Sequence, residues 1–220
     1  VVTDRDQFKP IPLAVALLSS AHKLYPDKLQ TRKGLDRLWG SEDLRALLYS
    51  NVETEKVIKS LKSNSGVYLV PAFVGLGAPH WDSKARGVLS GLTRNTGPKE
   101  IIRAIIESTA YQSHDLFNAM KKDGLKPKII KVDGGMVKNN WFSQFLSDVL
   151  NIKVYRSQVD ETTALGAAFM AGLKIGVFKS LSDISKRWKL NRKFIPKIKN
   201  SERLNILKGW SQAMRRTLVQ

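Results

Sequence analysis

The stretch Val132-Asp133-Gly134-Gly135-Met136-Val137-Lys138-Asn139-Asn140 holds the chain's most suggestive chemistry. An apolar run ends on a carboxylate, two glycines follow, and a helical pattern begins near Asn139. Glycines let a backbone come close to a ligand and adopt positive φ. The amides at the head of the following helix favour an anion. Asp133, Gly134, Gly135 and Asn139 therefore form a candidate phosphate or nucleotide site, with Asn139 able to hydrogen-bond a ring edge or a ribose. The same residues also fit an ordinary Asp-Gly turn between a strand and a helix. Neither G-x-x-x-x-G-K-[ST] nor G-x-G-x-x-G occurs in the chain.

Other reactive residue types are sparse. The chain has no cysteine, which excludes disulfides, thiolate metal sites and a cysteine nucleophile. Its histidines are His22, His80 and His114, and no two share helical i,i+3 or i,i+4 spacing. No metal-ligand set is expected from them, though carboxylate-bound Mg²⁺ stays open. Gly75-Leu76-Gly77-Ala78-Pro79 is glycine-rich, but Pro79 removes an amide where a phosphate cradle needs one, so it reads as a rigid structural loop. His80-Trp81-Asp82 has no serine in a G-x-S-x-G setting beside it, and a structural role is expected. His114-Asp115 reads as a polar contact on a helix.

The elements that must position the turn follow from periodicity. Leu44, Leu47, Leu48, Val57, Ile58 and Leu61 predict helix over 41–62. Val67 to Val70 reads as a buried strand closed by Pro71. Short strands are expected near Gly87 to Leu92. Pro98 suits a first helical position, with Thr96 as a cap. Ile101, Ile102, Ile105, Ile106 and Ala110 then predict a long helix ending at Gly124. Strands are expected at 128–132 and 152–155, with a helix from Asn139 to Leu150 between them. Glu161-Thr162-Thr163 can cap a third helix, Ala164 to Gly172, whose small residues predict close packing against another backbone. Alternation of this kind argues for an α/β layered fold.

The chain has 220 residues, 37 basic and 19 acidic, for a net charge of +18. Residues 174–220 carry 13 basic and 2 acidic side chains, so the excess sits mostly in the tail. Basic residues there interleave with Trp188 and Phe194, a pattern that either binds polyanions or packs its aromatics inward beneath a solvated face. Specific nucleic-acid binding is not expected, since no recognised motif accompanies the run. No apolar run reaches the ~18 residues of a membrane span. Ile11 to Ala21 reads as a short amphipathic helix rather than a leader.

Taken in order, Val70-Pro71-Ala72-Phe73, Gly75-Leu76-Gly77-Ala78-Pro79-His80-Trp81-Asp82, Ala85-Arg86-Gly87, Gly91-Leu92-Thr93-Arg94, Glu107-Ser108, Val132-Asp133-Gly134-Gly135, Asn139-Asn140 and Thr163-Ala164-Leu165-Gly166-Ala167-Ala168 resemble the C-terminal domain of the FGGY carbohydrate kinase family. The Gly-Leu-Gly-Ala-Pro-x-Trp-Asp loop points to its glycerol kinase branch. The resemblance implies an actin-like, RNase H-like ATPase domain over residues 34–200. An unassigned segment, 1–33, precedes it and a basic C-terminal helix, 201–220, follows. It implies a cytoplasmic protein that binds ATP or ADP, with Gly135 against the nucleotide and Asn139 touching it. Gly34 and Trp39 keep the spacing of another nucleotide-contacting turn, although Leu38 stands where that turn carries Gln.

The family's Asp-x-Gly-Thr motif, its glycerol-binding Arg-Glu pair, its catalytic Asp and its Gly-Thr-Gly loop have no counterpart in these residues. No residue is therefore assigned as catalytic or as a metal ligand. Mg²⁺ ligands and glycerol contacts are expected from an N-terminal domain, present either as a kinase half or through a homo-oligomer. The expectation is a domain inactive alone, with a non-catalytic nucleotide-binding or interaction module as the alternative.

Overall fold

The computed structural model describes residues 51–159 and 162–218. Gly34, the segment 1–33 and the first part of the expected 41–62 helix lie outside them. In chain order the elements are α1 (Asn51–Lys59), β1 (Tyr68–Val70), β2 (Val88–Ser90), α2 (Pro98–Lys122), β3 (Ile129–Val132), a 3₁₀ turn (Met136–Lys138), α3 (Asn140–Leu150), β4 (Lys153–Ser157), α4 (Thr162–Lys174), α5 (Leu181–Ser185), β5 (Leu190–Phe194) and α6 (Asn200–Leu218). The mixed α/β character matches the sequence pattern.

α2 organises the core. Its isoleucine stripe buries Ile102, Ile105 and Ile106 together with Ala110 and Tyr111. Pro98 is the first helical residue as expected, but Gly97 rather than Thr96 is the cap. The Glu100 carboxylate accepts the Gly97 N–H (2.9 Å), while the Thr96 hydroxyl accepts the Thr93 N–H in the preceding turn (2.9 Å). Thr96 is thus used one turn too early to cap. Gly124, at φ +89°, carries the chain away from the helix end.

β1 pairs antiparallel with β2, in the register Tyr68 to Ser90. β3 and β4 are parallel, and β5 adds antiparallel to β4, giving the order β3-β4-β5. The aromatic interleaving of the tail belongs partly to β5: Phe194 turns into the core, while Asn191, Arg192 and Lys193 stay exposed. Tyr111 stacks on Trp210 of α6 (5.2 Å between centroids) and meets Phe145 of α3 edge-on (5.6 Å). Gly209 of α6 lies against the Tyr68 ring, and a methyl there would overlap it.

A buried charged network crosses this core. Glu107 is 2% exposed. It accepts from Arg103 Nε (2.7 Å), the Tyr111 hydroxyl (2.9 Å) and Asn64 Nδ2 (2.9 Å). Burial pushes its carboxyl up, opposed by the Arg103 guanidinium and those donors. Arg103 also donates to the Leu61 carbonyl (2.7 Å) and lies over the Trp141 ring.

His80 and Asp115 make polar contacts between elements, in keeping with the polar contact expected at His114-Asp115. Asp115 Oδ2 accepts from Trp210 Nε1 (2.8 Å) and stands 3.3 Å from His80 Nε2, joining the 75–82 loop, α2 and α6. Burial acts to raise the Asp115 carboxyl, but hydrogen bonds with His114, Trp210 and His80 outweigh it and hold the group below its ordinary range. A carboxyl depressed in the folded state stabilises above its unfolded pKa, about 3.9, and loses that contribution as pH falls through the folded value. Urea unfolding midpoints should therefore drop between about pH 5 and pH 3, and drop less in Asp115→Asn. Equal slopes in the two proteins would remove Asp115 as a source of acid sensitivity.

The Gly75 loop needs its glycine for a steric reason. Gly75 sits at φ +99°, and a Cβ there would stand 2.7 Å from the Ser83 backbone. The Leu76 N–H donates to the Asp82 carbonyl (2.7 Å), and the Asp82 carboxylate accepts from the Lys84 and Ala85 amides.

α4 departs from expectation. Ala164, Ala167, Ala168 and Ala171 are exposed, and nothing lies within 4 Å of a Cβ built on Gly166. Gly172 alone is buried in this helix, beneath the Phe178 ring. Small side chains permit a close approach but do not cause one, and no second backbone among the described residues covers this face.

Candidate functional site

β3 carries Asp133 and Gly134 just past its last residue. Gly134, at φ +94°, reverses the chain in a conformation that disfavours any side chain. Gly135 then has helical angles, φ −61° and ψ −43°, and starts the 3₁₀ turn. Among the described residues, a Cβ on either glycine would meet no atom within 4 Å. Backbone geometry thus requires a glycine at 134 but not at 135. The bare backbone at 135 leaves room for something outside the described protein.

Asn139 lies at the far end of the turn, 2% exposed. Its Oδ1 accepts the Phe142 N–H (3.0 Å) and so caps α3. The next free donor is also taken: the Asn140 N–H donates to the Glu55 carboxylate on α1 (2.9 Å). Burial opposes ionisation of Glu55, but its bonds to Lys59 and to the Asn140 and Trp141 amides keep its carboxyl below the ordinary range. This corrects the expectation that the head of α3 offers open amides to a ligand anion. The anion at this helix N-terminus is the protein's own Glu55, which favours the macrodipole as a bound phosphate would. Sequence reasoning missed Glu55 because 85 residues separate it from Asn140.

The surroundings are basic. Arg156 of β4 donates to the carbonyls of Val137 (2.8 Å) and Lys138 (3.1 Å), pinning the 3₁₀ turn. Arg192 of β5 donates to Asn140 Oδ1 (3.0 Å). Asp133 is exposed and accepts a hydrogen bond from the Thr162 hydroxyl at the start of α4. Among the described residues, no three His, Asp or Glu side chains gather to hold a metal. The structure therefore brings Asp133, Gly134, Gly135 and Asn139 into one turn, with space beside Gly135 where a Cβ would stand and Asn139 buried as a cap. Gly34 lies outside the described residues.

A glycine turn after a parallel strand, followed by a capped helix, belongs here to a domain of the actin-like, RNase H-like ATPase type, the fold of its structural neighbours. Residues 15–175 match the FGGY family of carbohydrate kinases, C-terminal domain. The chain belongs to that family. It is 51% identical to glycerol kinase 1 of Pseudomonas aeruginosa over 164 residues, covering 74% of this chain and 33% of that protein. Against glycerol kinase of Clostridium botulinum the identity is 48% over 181 residues, covering 82% and 36%. A crystal structure of Plasmodium falciparum glycerol kinase with ADP superposes with a TM-score of 0.70 at 31% identity, covering 94% of this chain and 37% of that one. The chain spans about a third of the length of the curated relatives it matches. Among the described residues, no helix is long and apolar enough to cross a membrane.

Proposed function

We propose that these residues are the C-terminal nucleotide-binding portion of a cytoplasmic glycerol kinase. The complete enzyme would transfer a phosphoryl group from ATP to glycerol, giving glycerol 3-phosphate and ADP. The observation that carries this reading is the Gly134-Gly135 turn, where a Cβ on either glycine would meet no atom of the described residues within 4 Å. It has a glycine that the backbone does not need and basic side chains around it, in a chain about half identical to glycerol kinases.

In this reading Gly134 shapes the turn and Gly135 lies against the nucleotide. Asn139 contacts the nucleotide or holds the turn's far end through its cap, and Asp133 and Gly34 complete the nucleotide-facing set. The basic side chains favour the phosphates by charge. Mg²⁺, the glycerol contacts and the group that orients the attacking hydroxyl come from sequence outside these 220 residues, supplied by an N-terminal kinase half or through an oligomer. Phosphoryl transfer depends on positioning and on charge neutralisation at the γ-phosphate. The isolated chain is therefore expected to bind nucleotide without turnover.

Thermal unfolding with and without Mg·ADP tests binding, since a ligand specific for the folded state must stabilise it. Glycerol-dependent ADP release by the pure chain tests the rest and should stay at background. A cooperative transition that millimolar nucleotide does not move would overturn the nucleotide reading. Turnover would overturn the division of labour.

A further inference from the structure

At the opposite end of the β3-β4 pair the chain forms a second basic feature, with no part in the proposed nucleotide turn. An open cavity of about 610 Å³ is lined there by Lys121, Lys126, Lys128 and Lys153, with Pro127, Asn151, Ile152 and Pro196. Lys128 precedes β3 and Lys153 begins β4, whereas Asp133 to Gly135 follow β3. At about 3.3 Å per residue, the strand holds the two places about 17 Å apart.

The cavity is built by the fold. Gly124 turns the chain off α2 at φ +89° and leads it through Lys126, Pro127 and Lys128 into β3. The Lys153 N–H donates to the Lys128 carbonyl (3.4 Å), tying the two strand starts together. The Pro196 wall is fixed from both sides. Gln144 donates to the Ile195 carbonyl (2.8 Å), and the Lys197 N–H donates to Asp148 (2.6 Å). Asn151, the left-handed cap of α3, closes the remaining side.

The charge there is not balanced. No carboxylate lines the cavity, and among the described residues none of the four lysines has an ion-pair partner. The C-terminal ends of α2 and α3 both lie here, which makes lysines welcome. Each helix end supplies about half a negative charge, so two of them leave about three of the four positive charges uncompensated. The volume falls in the usual range of small-ligand pockets, about 300–1,000 Å³. A recess with an Ile and two Pro side chains in its walls suits a small ligand better than a flat charged stripe does.

We propose that this cavity binds a small, multiply charged phosphate compound. The probe is inorganic tripolyphosphate, titrated calorimetrically into the full chain at low ionic strength. One-to-one binding is expected. It should weaken at least tenfold in Lys128→Gln/Lys153→Gln and change less than twofold in Lys179→Gln/Lys208→Gln, which removes the same charge elsewhere. Both double variants alter exposed side chains and should keep the parent unfolding midpoint. Binding should persist in Gly135→Val, which separates this site from the nucleotide turn whether or not that turn binds ADP. No saturable heat would overturn the proposal, as would equal loss in both double variants or loss in Gly135→Val. Tighter binding of a single-stranded oligonucleotide through Lys128 and Lys153 would overturn it in favour of a nucleic-acid surface.

Discussion

Gly135→Val should abolish the Mg·ADP-induced rise in unfolding temperature while leaving the ligand-free transition nearly where it was. Ligand at 100 times its Kd stabilises a folded chain by about 2.7 kcal/mol. For a chain of this size that corresponds to a shift of roughly 5–10 °C. Gly135 has helical backbone angles and open space where a Cβ would stand, so a side chain there strains nothing in the described protein. The ligand-free cost should stay within about 0.5 kcal/mol, as for an exposed substitution. Gly134→Val is the contrasting variant. At φ +94° it forces a branched side chain into left-handed space and should lower stability with or without nucleotide. If Gly135→Val keeps the full ADP shift, the nucleotide lies elsewhere and the proposed site is wrong.

The largest stability effect is expected at Glu107. Removing its carboxylate in Glu107→Ala leaves the Arg103 guanidinium nearly buried, with the Leu61 carbonyl and the Trp141 ring as its remaining partners among the described residues. It also strips a partner from the Tyr111 hydroxyl and from Asn64. Breaking one side of a buried pair costs about 3–5 kcal/mol, a large share of a domain's stability of about 5–15 kcal/mol. Replacing Arg103 and Glu107 together by methionine should cost less than the sum of the two single alanine changes, because no lone charge remains. Urea unfolding of the single and double variants measures this. A Glu107→Ala cost below about 1 kcal/mol would mean that the network contributes little.

What the sequence made legible was local. The isoleucine repeat of α2 announces its buried stripe, and the strand–glycine–glycine–helix order around Asp133 locates the turn to the residue. Interactions over long chain distances left no such trace. Glu55 has nothing in its neighbourhood that announces an N-terminal cap for α3, and only folding brings α1 beside Asn140. Leu190 to Lys193 are all exposed, so β5 has no buried alternation and its sequence shows only a basic, aromatic tail. Pairing with β4 makes that segment a strand. The small residues of α4 raised the opposite problem: a sequence can make room for a neighbour without containing it.

That bareness has a dynamic consequence. Opening a segment costs about what its buried contacts contribute, so elements of one protein open at very different free energies. α2 carries the core, and the amides of its buried half should exchange with solvent only through global unfolding. α4 buries Gly172 and little else, so its amides should exchange through a local opening far below the global one. The hydrogen bond from Thr162 to Asp133 fastens the first turn of that helix to the glycine turn. The proposed nucleotide turn thus joins the well-buried α3 to a helix that should open locally. A ligand that orders it would be felt first as protection at the head of α4.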